Sequence, residues 1–522
     1  MTPINSGRRR FLRYGAGLGI ALSGVGRARS NAGFSENPFT LGVAAGEPMP
    51  DGFVIWTRLA PSPKSPDGGM PARDVEVRWE VAEDPRFRRI AREGTAAART
   101  VFAHSVHVEV DGLRPQRPYW YRFSVSGQWQ STVGVARTTP APGANVTQVR
   151  VASVGCQNFE QGYFTAFRHL SLEPDLDAVF HYGDYIYEFG PRGTHPQRRH
   201  WNEETKTLAD YRLRYSQYKL DPDLQAAHAA AAFIVSFDDH EIVDNWAGAF
   251  GKGGTAPEVF APRRAAALQA WYEHMPVRPG LRPYLSNARC FRAFDFGNLM
   301  RMHVLDTRSA RSPQQCEDIG MTPEQRTNCK VVDSPQRTML GARQEAWLDA
   351  GLRNQARWNF VAQQVMMMPY DARKDGESAP QPSTDNWNGY PAARRRFTDL
   401  IARNRLKNVV VGSGDMHQSV VGYIPTHPDD PSAPPLASEF LATSITSGGS
   451  GGLRHPNELH VLDNNPNVAF LNNQRGFHLY TISARQWLTE IKVLDQVDGP
   501  HGQLSVSGRF IVDPQAPGPI RA

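Results

Sequence analysis

Between Asn37 and Thr139 apolar and polar residues alternate in short runs. GFVIWTRL (52–59), VEVRWEVA (75–82), HSVHVEV (104–110) and YWYRFSV (119–125) recur with turn residues between them. A spacing of two puts one face of each run into a core and the other into water, the pattern of half-buried strands. After Thr139-Pro140-Ala141-Pro142-Gly143-Ala144, a linker by composition, the pattern changes. Apolar runs now go unbroken and most close on a glycine or an acid: Val149–Gly155, Leu176–Asp184, Ala232–Phe237, Met300–Asp306, Trp358–Val365 and Val409–Asp415. Strands covered on both faces need such runs. Helical spacing over Arg264–His274 and Arg343–Gln355 sets helices between several of them. The alternation predicts an α/β domain whose strands end in short polar loops.

Leu113-Arg114-Pro115 followed by Tyr119-Trp120-Tyr121-Arg122-Phe123 resembles the fibronectin type III signature, with Tyr119 at the tyrosine-corner position. That resemblance implies an immunoglobulin-like sandwich over 37–139, ahead of the α/β domain over 146–513. A chain of 522 residues has room for both.

Charge changes the picture at one end only. The formal net charge of +6 would suit nucleic acid. Arg8, Arg9, Arg10, Arg13, Arg27 and Arg29 account for it: removing those six from 58 basic residues leaves 52, equal to the 52 acidic ones. The body is near neutral, which argues against specific nucleic-acid binding. The basic stretch Gly7–Arg13, the weakly apolar run Tyr14–Val25 and the small residues around Ala28-Arg29-Ser30 form a tripartite leader over 1–30. Its paired arginines resemble the twin-arginine signal, which implies export of a folded protein by that machinery to the periplasm or beyond. No later stretch approaches the ~18 apolar residues of a membrane span, so no membrane anchor is expected, and a monomer is. In an oxidising compartment Cys316 and Cys329, bracketing a polar segment, predict a disulfide. Cys290 reads as a small buried apolar residue.

The chemistry gathers where the unbroken runs end. In order come Cys156, then Gly183-Asp184-Tyr185-Ile186-Tyr187, then Asp238-Asp239-His240-Glu241, then Gln364, then Gly414-Asp415-Met416-His417. Loops at the carboxyl ends of α/β strands converge on one crevice, so several in sequence predict a site. Taken alone, Cys156 would be an inert buried thiol, and Asp238 and Glu241 caps or ion-pair partners. Ser419 lacks the Gly-x-Ser-x-Gly setting of a serine hydrolase.

The order of these clusters resembles the calcineurin-like metallophosphoesterases and purple acid phosphatases. The set SVGCQ, GDYIYE, DDHE with Asn245-Trp246, LDTR (Leu305–Arg308) and GDMH is similar, more narrowly, to the PhoD-like alkaline phosphatase and phosphodiesterase family. That resemblance implies a four-layer αββα metallophosphoesterase domain preceded by a β-sandwich, acting on phosphate mono- and diesters for phosphate scavenging. It also implies iron and calcium. The residues agree: Cys156, Tyr187, Asp184 and His417 form a soft, anionic donor set suited to Fe3+. Asp239, Asp415 and Gln364 offer oxygen to one or two Ca2+ ions, with Asp184 bridging. Gln364 reads equally well as a core amide. His240 is the candidate for hydrogen-bonding the phosphoryl group or protonating the leaving oxygen. Asp306 and Arg308 read either as an ion pair holding a strand end or, for Arg308, as a direct substrate contact. Two other functions stay open: a phospholipase of D or C type, and a binding protein without catalysis.

Overall fold

The unbroken apolar runs become the central parallel strands of two large sheets, because both faces of each are covered. In this computed structural model the described residues are 33–192, 198–282, 290–316, 331, 333–354, 356–373, 383–454 and 458–522. The first region holds β1 (Val43–Met49), β2 (Gly52–Arg58), β3 (Val75–Ala82), β4 (Ile90–Ala98), β5 (Ser105–Val110), β6 (Pro118–Val125), β7 (Trp129–Gln130) and β8 (Gly134–Arg137). Then come β9 (Gln148–Val154), β10 (Ala178–His181) and β11 (Ala232–Val235), followed by β12 (Arg292–Phe296), β13 (Met300–Val304), β14 (Trp358–Ala362) and β15 (Val409–Ser413). The last are β16 (Ser419–Pro425), β17 (Pro435–Leu441), β18 (Val468–Asn472), β19 (Gly476–Ser483), β20 (Trp487–Leu494), β21 (Leu504–Asp513) and β22 (Ala516–Arg521).

A 10-stranded sheet runs β22-β21-β20-β19-β9-β10-β11-β1-β2-β5, and a 7-stranded sheet runs β12-β13-β14-β15-β17-β16-β18. At the centre of the first, β9, β10 and β11 are parallel. In the second, β13, β14, β15 and β17 are parallel. Alternation along β9 shows why each sheet holds two cores. Val149 and Val151 pack with Phe180, Ile234, Met302, Phe360 and Val410, between the two sheets. Ala152 and Val154 point the other way, to Phe167, Tyr215 and Trp271 on the helices Thr165–Ser171, Leu208–Lys219 and Pro257–His274. Beyond the second sheet, Val361 and Val411 meet Leu348 and Phe397 on the helices Gly341–Leu352 and Pro391–Arg403. Each fully buried side chain of this size contributes about 1.5–3 kcal/mol.

The N-terminal β region is joined to the rest more closely than a linker suggests. β1 pairs in parallel with β11, and β2 and β5 extend the same sheet. Only β3, β4, β6, β7 and β8 form a sheet of their own. Phe34–Ala522 accordingly form one compact unit. The Tyr119 hydroxyl accepts the Arg114 N–H at 2.8 Å. The expected leader (1–30) lies outside the described residues, as does Cys329 of the expected disulfide; Cys156 and Cys290 are buried free thiols. Among the described residues no helix is long and apolar enough to cross a membrane.

Two glycines let the strand ends approach one aromatic ring. A Cβ on Gly155 or on Gly414 would stand 2.2 Å from the Tyr182 ring, whose hydroxyl donates to the Thr443 carbonyl at 2.7 Å. The ring is wedged between the loops that follow β9 and β15. Replacing Gly155 or Gly414 with Ala is therefore expected to destabilise the protein by about 1–3 kcal/mol through overpacking. Urea unfolding reads this directly; an unshifted midpoint would contradict the wedge.

Candidate metal centre

Six loops at the carboxyl ends of strands supply the site, three from each sheet: those after β9, β10 and β11 and those after β13, β14 and β15. They are held in register by backbone bonds, Cys156 N–H to Gly183 O at 3.0 Å and Gly414 N–H to Gln364 O at 2.8 Å among them. Cys156, Asp184, Asn245, Asp415 and His417 all have φ between 52° and 74°. Side chains other than glycine seldom occupy this left-handed region, and strained backbone of this kind collects at functional sites.

One group of donors forms around Asp184 Oδ2. The Cys156 thiol lies 3.4 Å from it and the Tyr187 hydroxyl donates to it at 2.9 Å. Tyr187 Oη is 3.1 Å from His417 Nε2. Ser447 Oγ sits 2.6 Å from Tyr187 Oη and 2.8 Å from the Cys156 carbonyl, fixing both. Arg475 holds the His417 loop through that residue's carbonyl. Cys156, Asp184 and His417 place one ligand atom each within 4.8 Å of one another.

A second group lies beside the first and shares Asp184. Asp184, Asp239 and His240 form one such set, and Asp238, Asp239 and Asp415 another. Asp239 Oδ2 accepts the Asn245 N–H at 2.7 Å. Among the described residues its Oδ1 has no hydrogen bond, nor has Asp238 Oδ2, although both are buried. Behind them the Arg308 guanidinium, 0% exposed, pairs with Asp238 and forks onto Asp385 at 2.8 and 2.9 Å. It lies 3.5 Å from Asp239 and 3.6 Å from Asp415. Arg311 closes on Asp385 from the other side. Glu241 accepts the backbone N–H groups of Asp184, Tyr185 and Asp238.

Electrostatics show what this arrangement lacks. Burial, reinforced by neighbouring carboxylates, pushes Asp415 well above the usual carboxylate range, and pushes Asp184 up likewise despite the opposing charge of His240. Burial raises Asp238 to about 6, even against Arg308. Asp239 goes the other way, since Arg308 and His240 outweigh its burial. Burial and the Asp184 carboxylate likewise push the Cys156 thiol and the Tyr187 phenol up. His417 falls to about 3 through burial and the charge of Arg475, which keeps its imidazole neutral, the form that binds metals. Burial would lower His240, yet Glu188, Asp239 and Asp184 hold it well above its ordinary value. The carboxylates of Asp184, Asp238, Asp239, Asp385 and Asp415 thus share too little positive charge, and among the described residues the buried Asp238 Oδ2 has no hydrogen bond, Arg308 pairing with Oδ1 instead. Buried charge demands a partner, and a bound cation would reverse the local pKa order. The residues fit metal ions.

Of the residues singled out from sequence, Cys156, Asp184, Tyr187, Asp239, His240, Asp415 and His417 meet here. Gln364 lies at the site but not as a free ligand. Its oxygen accepts both the N–H (3.0 Å) and the hydroxyl (2.7 Å) of Thr307, and its nitrogen donates to Ser236 Oγ and Leu305 O. Both lone pairs of that oxygen are occupied by Thr307 in this arrangement. Arg308 is likewise not open to substrate; every direction of its fork ends on a carboxylate. Asp306 does not pair with Arg308 but caps the turn, accepting the N–H groups of Arg308 and Ser309. His181, His228 and His303 are buried and bonded to Gln157, Tyr185 and Asn359. Sequence reasoning missed Asp385, Ser447 and Glu188, which holds His240 Nδ1 at 2.7 Å. Of these only Glu188 carried a signal, as the last residue of GDYIYE.

Comparison with known proteins gives a consistent result. Residues 151–491 match the family described as PhoD-like phosphatase, and residues 25–140 match its N-terminal domain family. The chain is 43% identical over 518 residues to alkaline phosphatase D of Bacillus subtilis (strain 168), covering 97% of this chain and 87% of that protein. A solved structure of PhoD matches with a TM-score of 0.88 at 42% identity, over 94% of this chain and 93% of that one.

Removing the Asp385 carboxylate would leave Arg308 and Arg311 buried without their shared counter-charge. Asp385→Ala is expected to cost about 3–5 kcal/mol of stability, read by chemical denaturation. A loss of less than about 1 kcal/mol, the range of an exposed pair, would show that this pairing is not structural.

Proposed function

This chain belongs to the PhoD-like phosphatase family and is a phosphoric ester hydrolase; from that membership we propose that it is an exported, metal-dependent alkaline phosphatase and phosphodiesterase. The observation that carries the proposal is the sharing of Asp184 by two donor groups of different chemistry. Cys156, Tyr187, Asp184 and His417 combine thiol, phenol, carboxylate and imidazole, a set suited to Fe3+. Asp239 and Asp415 offer carboxylate oxygens alone, which suits one or two Ca2+ ions. Bound there, the cations would supply Lewis acidity, neutralising phosphoryl oxygens and lowering the pKa of a water at neutral to alkaline pH.

The remaining roles belong to the chain. Glu188 occupies His240 Nδ1, so Nε2 is the ring nitrogen available to hydrogen-bond the phosphoryl group or protonate the leaving oxygen. The Tyr187 ring, 4.2 Å from the His240 ring, limits where the imidazole can turn. Arg308 positions Asp238 and Asp239 rather than touching substrate, and Gln364 holds the Thr307 turn against β14. Nothing in this scheme requires a covalent enzyme intermediate, so attack in line with the leaving group and inversion at phosphorus are expected.

The same proposal takes the leader over 1–30 as a twin-arginine signal delivering a folded, monomeric enzyme to the periplasm or the medium, where it would release phosphate from organic esters. It reads the three apolar layers as an αββα sandwich, and the N-terminal strands as an immunoglobulin-like one that shares its second sheet with the catalytic region.

Dialysis against a strong chelator is expected to abolish hydrolysis of p-nitrophenyl phosphate and bis(p-nitrophenyl) phosphate, with iron and calcium together restoring it. Cys156→Ser should lose at least roughly 10–100-fold in activity or metal affinity. Undiminished hydrolysis by fully stripped protein would overturn the metal-dependent reading, and retention of configuration on a chiral thiophosphate ester would overturn in-line attack.

A further inference from the structure

We propose that Arg192 is the recognition group for a second phosphate, so that the enzyme favours phosphodiesters whose leaving alcohol is itself phosphorylated. The inference rests on the reading of His240 as the residue facing the leaving oxygen. Solvent reaches the site where His240, Asp415, Met416 and His417 are half-buried, whereas Cys156, Asp184, Asp238 and Asp239 behind them are buried. The half-buried Phe189 ring stands edge-on to His240, with centroids 5.1 Å apart. Across its face lies the Arg192 guanidinium, 4.2 Å from the centroid.

Two features make this more than a chance surface stack. First, the Arg192 backbone is anchored: its main-chain N–H donates at 2.7 Å to Glu160 Oε2, and the other oxygen of that carboxylate accepts the His200 main-chain N–H at 2.8 Å, while the guanidinium itself rests on the Phe189 ring. Second, its guanidinium is in no ion pair among the described residues, unlike its neighbour on the same ring. Lys252 also lies over the Phe189 ring, at 5.8 Å, but is paired with Asp244. Arg192 is exposed and forms no salt bridge among the described residues. A guanidinium offers two parallel donors matched to a phosphate, and stacking lowers the entropy it must lose on binding. The carboxylates of the inner site repel anions until cations cover them. One ring further out, on the side of His240, the cation stacked on Phe189 can take the next phosphate along a chain.

The test uses the metal-loaded, full-length protein and compares kcat/KM for a thymidylyl dinucleotide with and without a 3′-phosphate on its leaving nucleoside. The same pair built on an abasic propanediol linker separates the phosphate from the base. Wild type is expected to favour the phosphorylated member of both pairs by roughly tenfold at low salt, about the contribution of one charge-assisted contact, and less as salt rises. Arg192→Ala should bring both ratios close to one, and Arg192→Lys should keep part of them. Because each ratio is taken within one variant, lost folded protein cancels. A wild type without preference, an Arg192→Ala variant that keeps it, or a preference confined to the nucleotide pair would each overturn the proposal. Wild type inactive on bis(p-nitrophenyl) phosphate as well would overturn the hydrolytic reading of the site, and this subsite with it.

Discussion

Carboxylates buried within reach of one another repel, and water is not there to relieve them. In this protein the buried Asp184, Asp238, Asp239 and Asp385 and the half-buried Asp415 are gathered at the facing edges of two sheets around the guanidiniums of Arg308 and Arg311. Arginine neutralises the rear of the cluster. Among the described residues Asp238 Oδ2 and Asp239 Oδ1 lack hydrogen bonds, although Arg308 stands 3.5 Å from Asp239 Oδ1; we propose that cations complete the cluster. The donor chemistry differs on the two sides of Asp184: thiol, phenol and imidazole from Cys156, Tyr187 and His417 on one, and the Asp239 carboxylate with the His240 imidazole on the other.

Holding this arrangement shapes the fold around it. Five site residues keep left-handed backbone, which costs of order 1–3 kcal/mol each. The strain persists because the loops are fixed from several directions. Glu241 ties three backbone N–H groups together, Ser447 clamps Cys156 to Tyr187, and Tyr182 is wedged between Gly155 and Gly414. Apolar cores on both faces of each sheet make the platform stiff enough to bear it. The N-terminal strands lengthen that platform through the pairing of β1 with β11 and so stand as part of the catalytic sheet.

Much of this was legible in the sequence because its causes are local. Val149–Gly155 or Val409–Asp415 must be buried strands whatever surrounds them, and ligand types repeated at strand ends can be read without coordinates. Other parts depend on long-range partners. Asp385 stands 77 positions from Arg308, in a polar loop without periodicity, so nothing in its neighbourhood marks it. Gln364 looked like a ligand by its place in a motif; only the approach of Thr307 shows that its oxygen is taken. The register of β1 against β11 is set by tertiary packing across nearly the whole first half of the chain, while the linker composition after Thr139 pointed to a cleaner division than the sheet allows.

The account's central claim is that cations complete the buried acidic cluster, and it is tested most directly by elemental analysis combined with thermal unfolding of the protein before and after complete chelation. Ligands that bind only the folded state raise its stability. The account predicts iron and calcium in the folded protein and a clear fall in Tm on stripping, reversed by restoring the ions. A folded protein that contains no metal, takes up none, and melts at the same temperature throughout would contradict it.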